Sequence, residues 1–179
     1  MSLHIIPVQS PIGDLFTEVY DLLTRTFEPD IMDSKDAMVE DLEETLLGQA
    51  DAPFIILAGL VDDEVVSVRL GNYMRMQQHR GQAFGAGMYG ATLPSARRQG
   101  YARELWKRFQ SKLDEYARED SRSLRYLVLE AETPSEGREV FDPRPAWSHV
   151  GFRFPGGTYR QPATKFDPKT GTLTKQPVP

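Results

Sequence analysis

Cysteine is absent from this chain of 179 residues. Without thiols the chain can form no disulfide, no zinc site built on thiolates and no cysteine nucleophile. Long hydrophobic runs are missing as well: the run at residues 54–61 is far shorter than the roughly 20 apolar residues that span a bilayer. The first residues lack the basic segment and the cleavage site of a secretory signal. We therefore expect a cytoplasmic protein with no membrane partner.

Positive charge is the scarcer of the two signs. Lys and Arg total 21 and Asp and Glu total 26, which gives a formal net charge of −5. Domains that bind nucleic acid are usually basic, so this balance argues against a nucleic-acid partner. Hydrophobic residues make up 40% and charged residues 26%, which are ordinary fractions for a globular protein. The length suits one domain.

The hydrophobic pattern changes along the chain between helical and strand periodicity. Asp14 and Ser34 are typical N-caps of two helices, and Asp62-Asp63 is typical of a tight turn between two strands. The predicted elements are a short strand at 3–8, helices at 15–27 and 35–47, strands at 54–61, 64–76 and 84–93, a helix at 101–118 and a strand at 124–131. This order predicts an α/β (α+β) fold with a mixed, partly parallel sheet flanked by helices. The last strand is apolar on both faces, which favours a central position.

Gly85, Gly87 and Gly90 match the G-x-G-x-x-G fingerprint of dinucleotide-binding proteins. That fingerprint joins a strand to a helix, whereas these glycines lie inside a predicted strand that Pro94 closes. We therefore expect no dinucleotide there, and a dinucleotide-binding oxidoreductase is the least favoured function. Two explanations of the glycines stay open: the close approach of a ligand or backbone, and a fit beneath a neighbouring helix.

The turn before the 101–118 helix has the chemistry of an anion site. Backbone N–H groups at a helix N-terminus point outward and carry partial positive charge. Gly100 has no side chain to block an anion, and Arg97 and Arg98 flank it. No Gly-Lys-Ser/Thr of a P-loop is present. We predict that residues 97–102 (the phosphate turn) bind a phosphate group.

The phosphate turn reads Arg-Arg-Gln-Gly-Tyr-Ala and follows Pro94. It resembles the Arg/Gln-x-x-Gly-x-Gly/Ala motif of the GCN5-related N-acetyltransferases. The element order is similar to that of the family, and residues 146–152 resemble its later helix, which commonly ends in Gly-Phe. Residues 159–162 are similar to a closing-strand signature of some members. The resemblance covers residues 3–166.

This resemblance implies an enzyme that moves an acetyl group from acetyl-CoA to an amine of a small molecule or peptide. A single acetyltransferase domain would span residues 1–166, and 167–179 would be an extended, proline-containing tail. No metal is expected, and a homodimer is one of the assemblies left open. The acceptor is not identified; the acidic side chains of the first two helices favour a cationic amine, unless they form only a solvated face.

In the family, acetyl-CoA lies between two parallel strands, here 84–93 and 124–131. The resemblance puts its pyrophosphate on the amides of the phosphate turn and its pantetheine arm and thioester on two strand residues. The implied cofactor-binding residues are Gly90, Thr92, Arg97, Arg98, Gln99, Gly100, Tyr101 and Ala102. Trp147 stands where family members often carry a tyrosine that protonates the leaving thiolate. That departure supports an alternative, a non-catalytic acyl-CoA-binding domain.

Two carboxylates are candidates for the base that takes the proton of the amine. Strand alternation places Glu130 and Glu132 on one face at the carboxyl end of the last strand, where parallel sheets bind ligands. Burial there would raise the pKa of a glutamate toward neutrality. Glu130 is the first candidate and Glu132 the second, and a salt bridge to an arginine is the equally open structural explanation. For the acid, Tyr89 and Tyr159 are the candidate phenols.

Overall fold

A five-stranded sheet organises Met1–Glu130, the first of the two units of the chain in a computed structural model. The structure describes residues 2–29, 31–129, 148, 152, 153, 164–167 and 172–175. The elements of the first unit are the strands β1 (His4–Pro7), β2 (Phe54–Val61), β3 (Glu64–Arg75), β4 (Gln82–Thr92) and β5 (Ser123–Leu129) and the helices α1 (Asp14–Thr24), α2 (Lys35–Leu46) and α3 (Tyr101–Glu119).

The strands of this sheet follow the order β1-β2-β3-β4-β5. Neighbouring strands are antiparallel except β4 and β5, which run parallel from Gln82↔Ser123 to Gly87↔Leu129. This mixed, partly parallel sheet confirms the predicted fold class. Pro7 ends β1, an edge strand, where a residue without an N–H is tolerated.

Among the described residues, β5 pairs with β4 alone, and its predicted central position stays a prediction. Within the described residues β5 lies at the edge of the sheet. Its side chains are covered on one face only, because Leu127 is half-buried whereas Tyr126 and Val128 are 59% and 47% exposed.

Local signals set the hairpin and the helix starts. Asp62 and Asp63 connect β2 to β3 with φ angles of 50° and 65°, as a tight hairpin turn requires. The Ser34 hydroxyl accepts a hydrogen bond from the Ala37 N–H at 3.2 Å, which confirms the predicted cap of α2. Asp14, in contrast, is the first helical residue of α1 rather than its cap. There its carboxylate lies in the first turn, where the helix dipole favours negative charge.

The helices cover opposite faces of the sheet. One face packs against α1 and α2 through side chains of β2 and β3 that alternate with those facing α3. The buried side chains of that layer include Phe16, Val19 and Leu23 of α1, Met38 and Leu42 of α2, and Ile56, Val68 and Leu70 of the sheet.

The other face carries α3 over three glycines in adjacent strands, Gly59 in β2, Gly71 in β3 and Gly85 in β4 (the glycine seats). The side chains above them are Leu105, Phe109 and Leu113, spaced four residues apart along α3. A Cβ at Gly59 would lie 2.8 Å from Leu105 Cδ1, and a Cβ at Gly71 would lie 2.7 Å from Phe109 Cζ. A Cβ at Gly85 would overlap Leu113. For Gly85, the fit beneath a helix is therefore the explanation that the structure supports.

The second unit, Ala131–Pro179, contains a hairpin of β6 (Thr164–Asp167) and β7 (Thr172–Lys175). These strands pair antiparallel from Thr164↔Lys175 to Asp167↔Thr172. The predicted division between domain and tail at residues 166 and 167 falls within β6, and it stays a prediction. Among the described residues, no helix combines the length and apolar character needed to cross a bilayer.

The contacts around the glycine seats predict which glycine-to-alanine substitution destabilises the fold most. We expect Gly71→Ala to lower the free energy of unfolding by about 1–3 kcal/mol, because the new Cβ would overlap the backbone oxygen of Ala86 in the neighbouring strand. Gly59→Ala is the matched control, since its new Cβ first meets the flexible end of Leu105. Urea denaturation followed by circular dichroism compares the two variants. Equal losses would contradict this account of the packing.

Candidate functional site

A bulge in β4 shapes the candidate site. Arg69 pairs with Gly90 and Gly71 pairs with Gly87, so two steps along β3 correspond to three steps along β4. The extra residue lies at Met88 and Tyr89. Such a bulge bends the strand and changes the direction of its backbone groups, and bulges of this kind are common next to active sites.

Beyond the bulge, the backbone of β4 presents polar groups to the side of the sheet on which β5 lies. The Leu93 N–H donates to the Val66 carbonyl at 2.9 Å, so these two residues form a hydrogen-bonded pair. Hydrogen-bonded and non-hydrogen-bonded pairs alternate in an antiparallel ladder. Gly90 and Thr92 therefore occupy non-hydrogen-bonded pairs, and their own N–H and C=O groups point away from β3. These two residues are the ones predicted to contact the pantetheine arm and the thioester.

The phosphate turn follows β4 through a short 3₁₀ helix at Pro94–Ala96. Arg98 and Gly100 both have positive φ angles, 64° and 84°, and Gly100 caps α3. The backbone N–H groups of residues 98–102 donate to no acceptor in the part of the chain that the structure describes. A Cβ at Gly100 would meet no heavy atom within 4 Å, so space is open beside these amides. A phosphate group fits this arrangement, because free amides and a helix N-terminus both favour an anion.

The arginines of the turn take different roles. The Arg97 amide donates to the Pro94 carbonyl at 3.4 Å, so it is not one of the free N–H groups. The Arg97 side chain turns back and its Nε donates to the Thr92 carbonyl at 3.3 Å. Arg98 and Gln99 are exposed beside the free amides. Arg97 thus connects the turn to the strand, and the open anion site begins at Arg98.

Tyr89, in the bulge, binds the loop between α1 and α2. Its hydroxyl accepts a hydrogen bond from the Asp33 N–H at 3.1 Å. It can donate to the Ile31 carbonyl at 3.2 Å or to Asp33 Oδ2 at 3.1 Å. The ring packs edge to face against Phe27, with 5.5 Å between the ring centroids. The structure therefore gives this hydroxyl a positioning role, and its role as a catalytic acid stays a prediction.

A buried arginine on the α3 side of the bulge was not identified from the sequence. Arg69 is only 7% exposed, and its guanidinium carbon lies 4.2 Å from the centroid of the Trp106 ring. A Cβ at Gly87 would lie 2.9 Å from Arg69 Nη2, and one at Gly90 would overlap Nη1. Burial lowers the pKa of Arg69 to about 10, which leaves the group charged at neutral pH. The available signal was a single charged residue within the apolar run 65–70.

The remaining candidate residues cannot be placed. Glu130, Glu132, Trp147 and Tyr159 lie outside the described residues, so the base and one of the two candidate acids stay predictions. Within the described ranges, no cluster of three or more His, Asp or Glu side chains could hold a metal ion.

The structure also removes the context that a dinucleotide fingerprint needs. All three glycines lie inside β4, and α3 begins at Tyr101, well after the last of them. The space beside these glycines is taken by Leu113 and by Arg69. The glycines therefore lie inside a strand, as predicted, and not at a strand-to-helix turn.

No protein-family model matches the chain, and no curated protein matches it. Solved structures do match. An aminoglycoside acetyltransferase from an uncultured soil metagenomic sample is 20% identical over 92% of this chain and 100% of that chain, with a TM-score of 0.63. Ribosomal-protein-alanine N-acetyltransferase from Brucella melitensis biovar Abortus 2308 is 18% identical over 90% of this chain and 99% of that chain, with a TM-score of 0.63.

A third solved structure is AAC(6')-Iy in complex with the bisubstrate analogue CoA-S-monomethyl-acetylneamine. It is 16% identical over 91% of this chain and 100% of that chain, with a TM-score of 0.58. Together these likenesses show that the chain has the GCN5-related N-acetyltransferase fold, which confirms the fold that the phosphate turn and the element order implied.

The hydrogen bonds of the Tyr89 hydroxyl predict that its removal loosens the loop between α1 and α2. Tyr89→Phe should lower the free energy of unfolding by about 1 kcal/mol, because the Asp33 N–H loses its acceptor. Hydrogen exchange at the Asp33 amide should become faster. Tyr20→Phe is the matched control, since the Tyr20 hydroxyl makes no hydrogen bond within the described residues. Unchanged exchange at Asp33 in Tyr89→Phe would show that the hydroxyl does not hold the loop.

Proposed function

We propose that this chain is an acetyl-CoA-dependent N-acetyltransferase that acts on the amino group of a small molecule or a peptide. The observation that carries the proposal is the row of free backbone N–H groups at residues 98–102, at the start of α3 and beside the open space at Gly100. This row follows β4 through the 3₁₀ helix at Pro94–Ala96, and the Gly90 and Thr92 backbone groups of that strand point away from β3.

Solved structures of the same fold support the reaction class but not one acceptor. The soil metagenomic protein is named for aminoglycosides and the Brucella protein for the alanine of a ribosomal protein. AAC(6')-Iy was solved with an analogue that joins CoA to an acetylated amine compound. Identities of 20% or less leave the acceptor of this chain open, so the proposal stops at an amine.

The residues of the first unit suit two polar parts of acetyl-CoA, the pyrophosphate and the pantetheine arm with its thioester. The free amides of the phosphate turn would bind the pyrophosphate, with the partial positive charge of the α3 N-terminus beside them. The outward-facing backbone groups of Gly90 and Thr92 would pair with the pantetheine arm and orient the thioester. Acetyl-CoA would supply the activated acyl group. The chain would orient the thioester and provide the groups for proton transfer.

Proton transfer is the chemical demand on the side chains. The reaction forms a C–N bond and breaks the C–S bond, while the amine loses one proton and the thiolate gains one. An alkylammonium with a pKa near ~10.4 lies about 4.6 kcal/mol from its reactive neutral form at pH 7. We assign the base to Glu130, with Glu132 second, and the acid to Tyr89 or Tyr159.

Gly100 provides the sharpest test of the binding site. Asn and Asp both tolerate the positive φ of 84° at this position, so Gly100→Asn and Gly100→Asp differ mainly in one negative charge. We expect Gly100→Asp to weaken acetyl-CoA binding at least about tenfold relative to Gly100→Asn, a difference of roughly 1.4 kcal/mol, because the carboxylate repels the pyrophosphate. Isothermal titration calorimetry measures both affinities.

Equal affinities of the two Gly100 variants for acetyl-CoA would show that the pyrophosphate binds elsewhere. A wild-type chain that does not bind acetyl-CoA would overturn the proposal. Release of free thiol with a panel of amines then tests turnover. Binding without turnover across the panel would favour a non-catalytic acyl-CoA-binding domain.

Glu130→Gln tests the base. Activity of the wild-type chain should fall at low pH as the base becomes protonated, and this limb should disappear in the variant. The rate should drop about 10²–10⁴-fold while acetyl-CoA affinity stays unchanged. Glu132→Gln tests the second candidate: if Glu130 is the base, this variant keeps the fall of activity at low pH. An unchanged pH–rate profile in Glu130→Gln would assign proton removal to water or to another residue.

A further inference from the structure

We propose that the amine acceptor carries an apolar substituent, which packs on an exposed hydrophobic surface of β4 and β5 formed by Met88, Tyr126 and Val128 (the acceptor patch). This inference rests on the proposed function and deepens it, because it takes the acetyl group to lie at the β4 edge beside Gly90. It narrows the class of acceptors to primary amines whose substituent is a hydrocarbon chain or ring.

The β5 part of the acceptor patch lies on the face of the sheet that carries α1 and α2. A Cβ at Gly85 would meet both Leu113 of α3 and Leu127, so Leu127 faces α3. Side chains alternate along a strand, and Tyr126 and Val128 therefore point to the opposite face. They are exposed there, although both are large apolar side chains.

Met88 extends this surface onto β4. Val128 pairs with Ala86, and Met88 follows Ala86 by two residues, the spacing of one strand face. Within the described residues, the pairing of β4 with β5 ends at Gly87↔Leu129, so Met88 is the first residue of β4 beyond the paired stretch. Its side chain is 36% exposed. The acceptor patch thus reaches the free edge of β4, along which the acetyl group is proposed to lie.

The opposite face of the sheet is filled at this place. Arg69 lies there, 7% exposed, and a Cβ at Gly87 or at Gly90 would collide with its side chain. Trp106 of α3 packs on Arg69, with 4.2 Å between the guanidinium carbon and the ring centroid. An amine that attacks a thioester beside Gly90 therefore approaches from the face that carries the acceptor patch.

The chemistry of the acceptor patch selects the substituent of the amine. The amine nitrogen has to lie at the thioester, close to the base, and the proposed base Glu130 follows Val128 by two residues in the sequence. The rest of the acceptor then extends over the side chains of one strand face, which are about 6–7 Å apart. A hydrocarbon substituent gains free energy there by leaving water, whereas a hydroxylated or charged substituent would lose hydration.

The experiment compares acceptors that share one amino group and differ in the chain behind it. Release of free thiol from acetyl-CoA gives kcat/KM for n-propylamine and n-hexylamine, which differ by three methylenes. We expect the value for n-hexylamine to be at least about tenfold larger, because each buried methylene contributes up to about fourfold. A second comparison uses 1,6-diaminohexane, which carries a second positive charge at the far end of the same chain and should react more slowly than n-hexylamine.

The double variant Met88→Gln, Val128→Thr tests the surface itself, since it replaces two exposed apolar side chains by polar ones of similar size. Its ratio of n-hexylamine to n-propylamine should fall toward one, while acetyl-CoA affinity and the kcat/KM for n-propylamine stay close to those of the wild-type chain. Ile12→Thr is the matched control, because Ile12 is 82% exposed in the segment between β1 and α1. It should keep the wild-type ratio.

A wild-type ratio near one overturns the inference, and so does an unchanged ratio in the double variant. Faster turnover of 1,6-diaminohexane than of n-hexylamine would overturn it in favour of a cationic acceptor. A wild-type dimer that dissociates in the double variant during sedimentation would assign the acceptor patch to a second copy of the chain instead. Failure to bind acetyl-CoA, or turnover of no amine at all, would reject the proposed function and this inference with it.

Discussion

The packing of α3 into the glycine seats is the constraint on which the rest of the first unit depends. Leu105, Phe109 and Leu113 are each at most 1% exposed, and burial of a side chain of this size contributes about 1.5–3 kcal/mol. The helix can approach the sheet this closely only because Gly59, Gly71 and Gly85 have no side chains. The start of α3 carries the phosphate turn, so this packing also fixes where an anion can bind relative to β4.

The β4 bulge joins the two faces of the sheet at one place. On the face of α1 and α2, Tyr89 holds the loop at Ile31 and Asp33 by its hydroxyl. On the α3 face, Arg69 fills the space left by Gly87 and Gly90. One extra residue in the strand thus brings a loop, a buried cation and an outward-facing backbone edge into contact with the same short stretch of chain. A shift in any one of them changes the geometry of the others.

The sequence predicted those features that depend on neighbouring residues. The Asp62-Asp63 turn, the Ser34 cap and the amphipathic α3 each follow from local patterns, and so do the order of the elements and the open amides around Gly100. Features that depend on distant residues were missed. The burial of Arg69 depends on Trp106 in α3 and on two glycines of another strand. The bulge can be recognised only from the pairing of β3 with β4.

The glycine seats have a mechanical consequence for α3. Its three large side chains repeat at four-residue intervals, and the glycine seats lie on three successive strands. Each side chain therefore packs over one glycine. A small translation of α3 would move all three side chains off their glycines and against neighbouring residues of the strands at the same time. The next register that again offers side chains of the same helix face lies about one helical turn, or roughly 5.4 Å, away. The phosphate turn therefore has a discrete set of positions, and any adjustment to a ligand must come from rotation of its own backbone rather than from sliding of the helix.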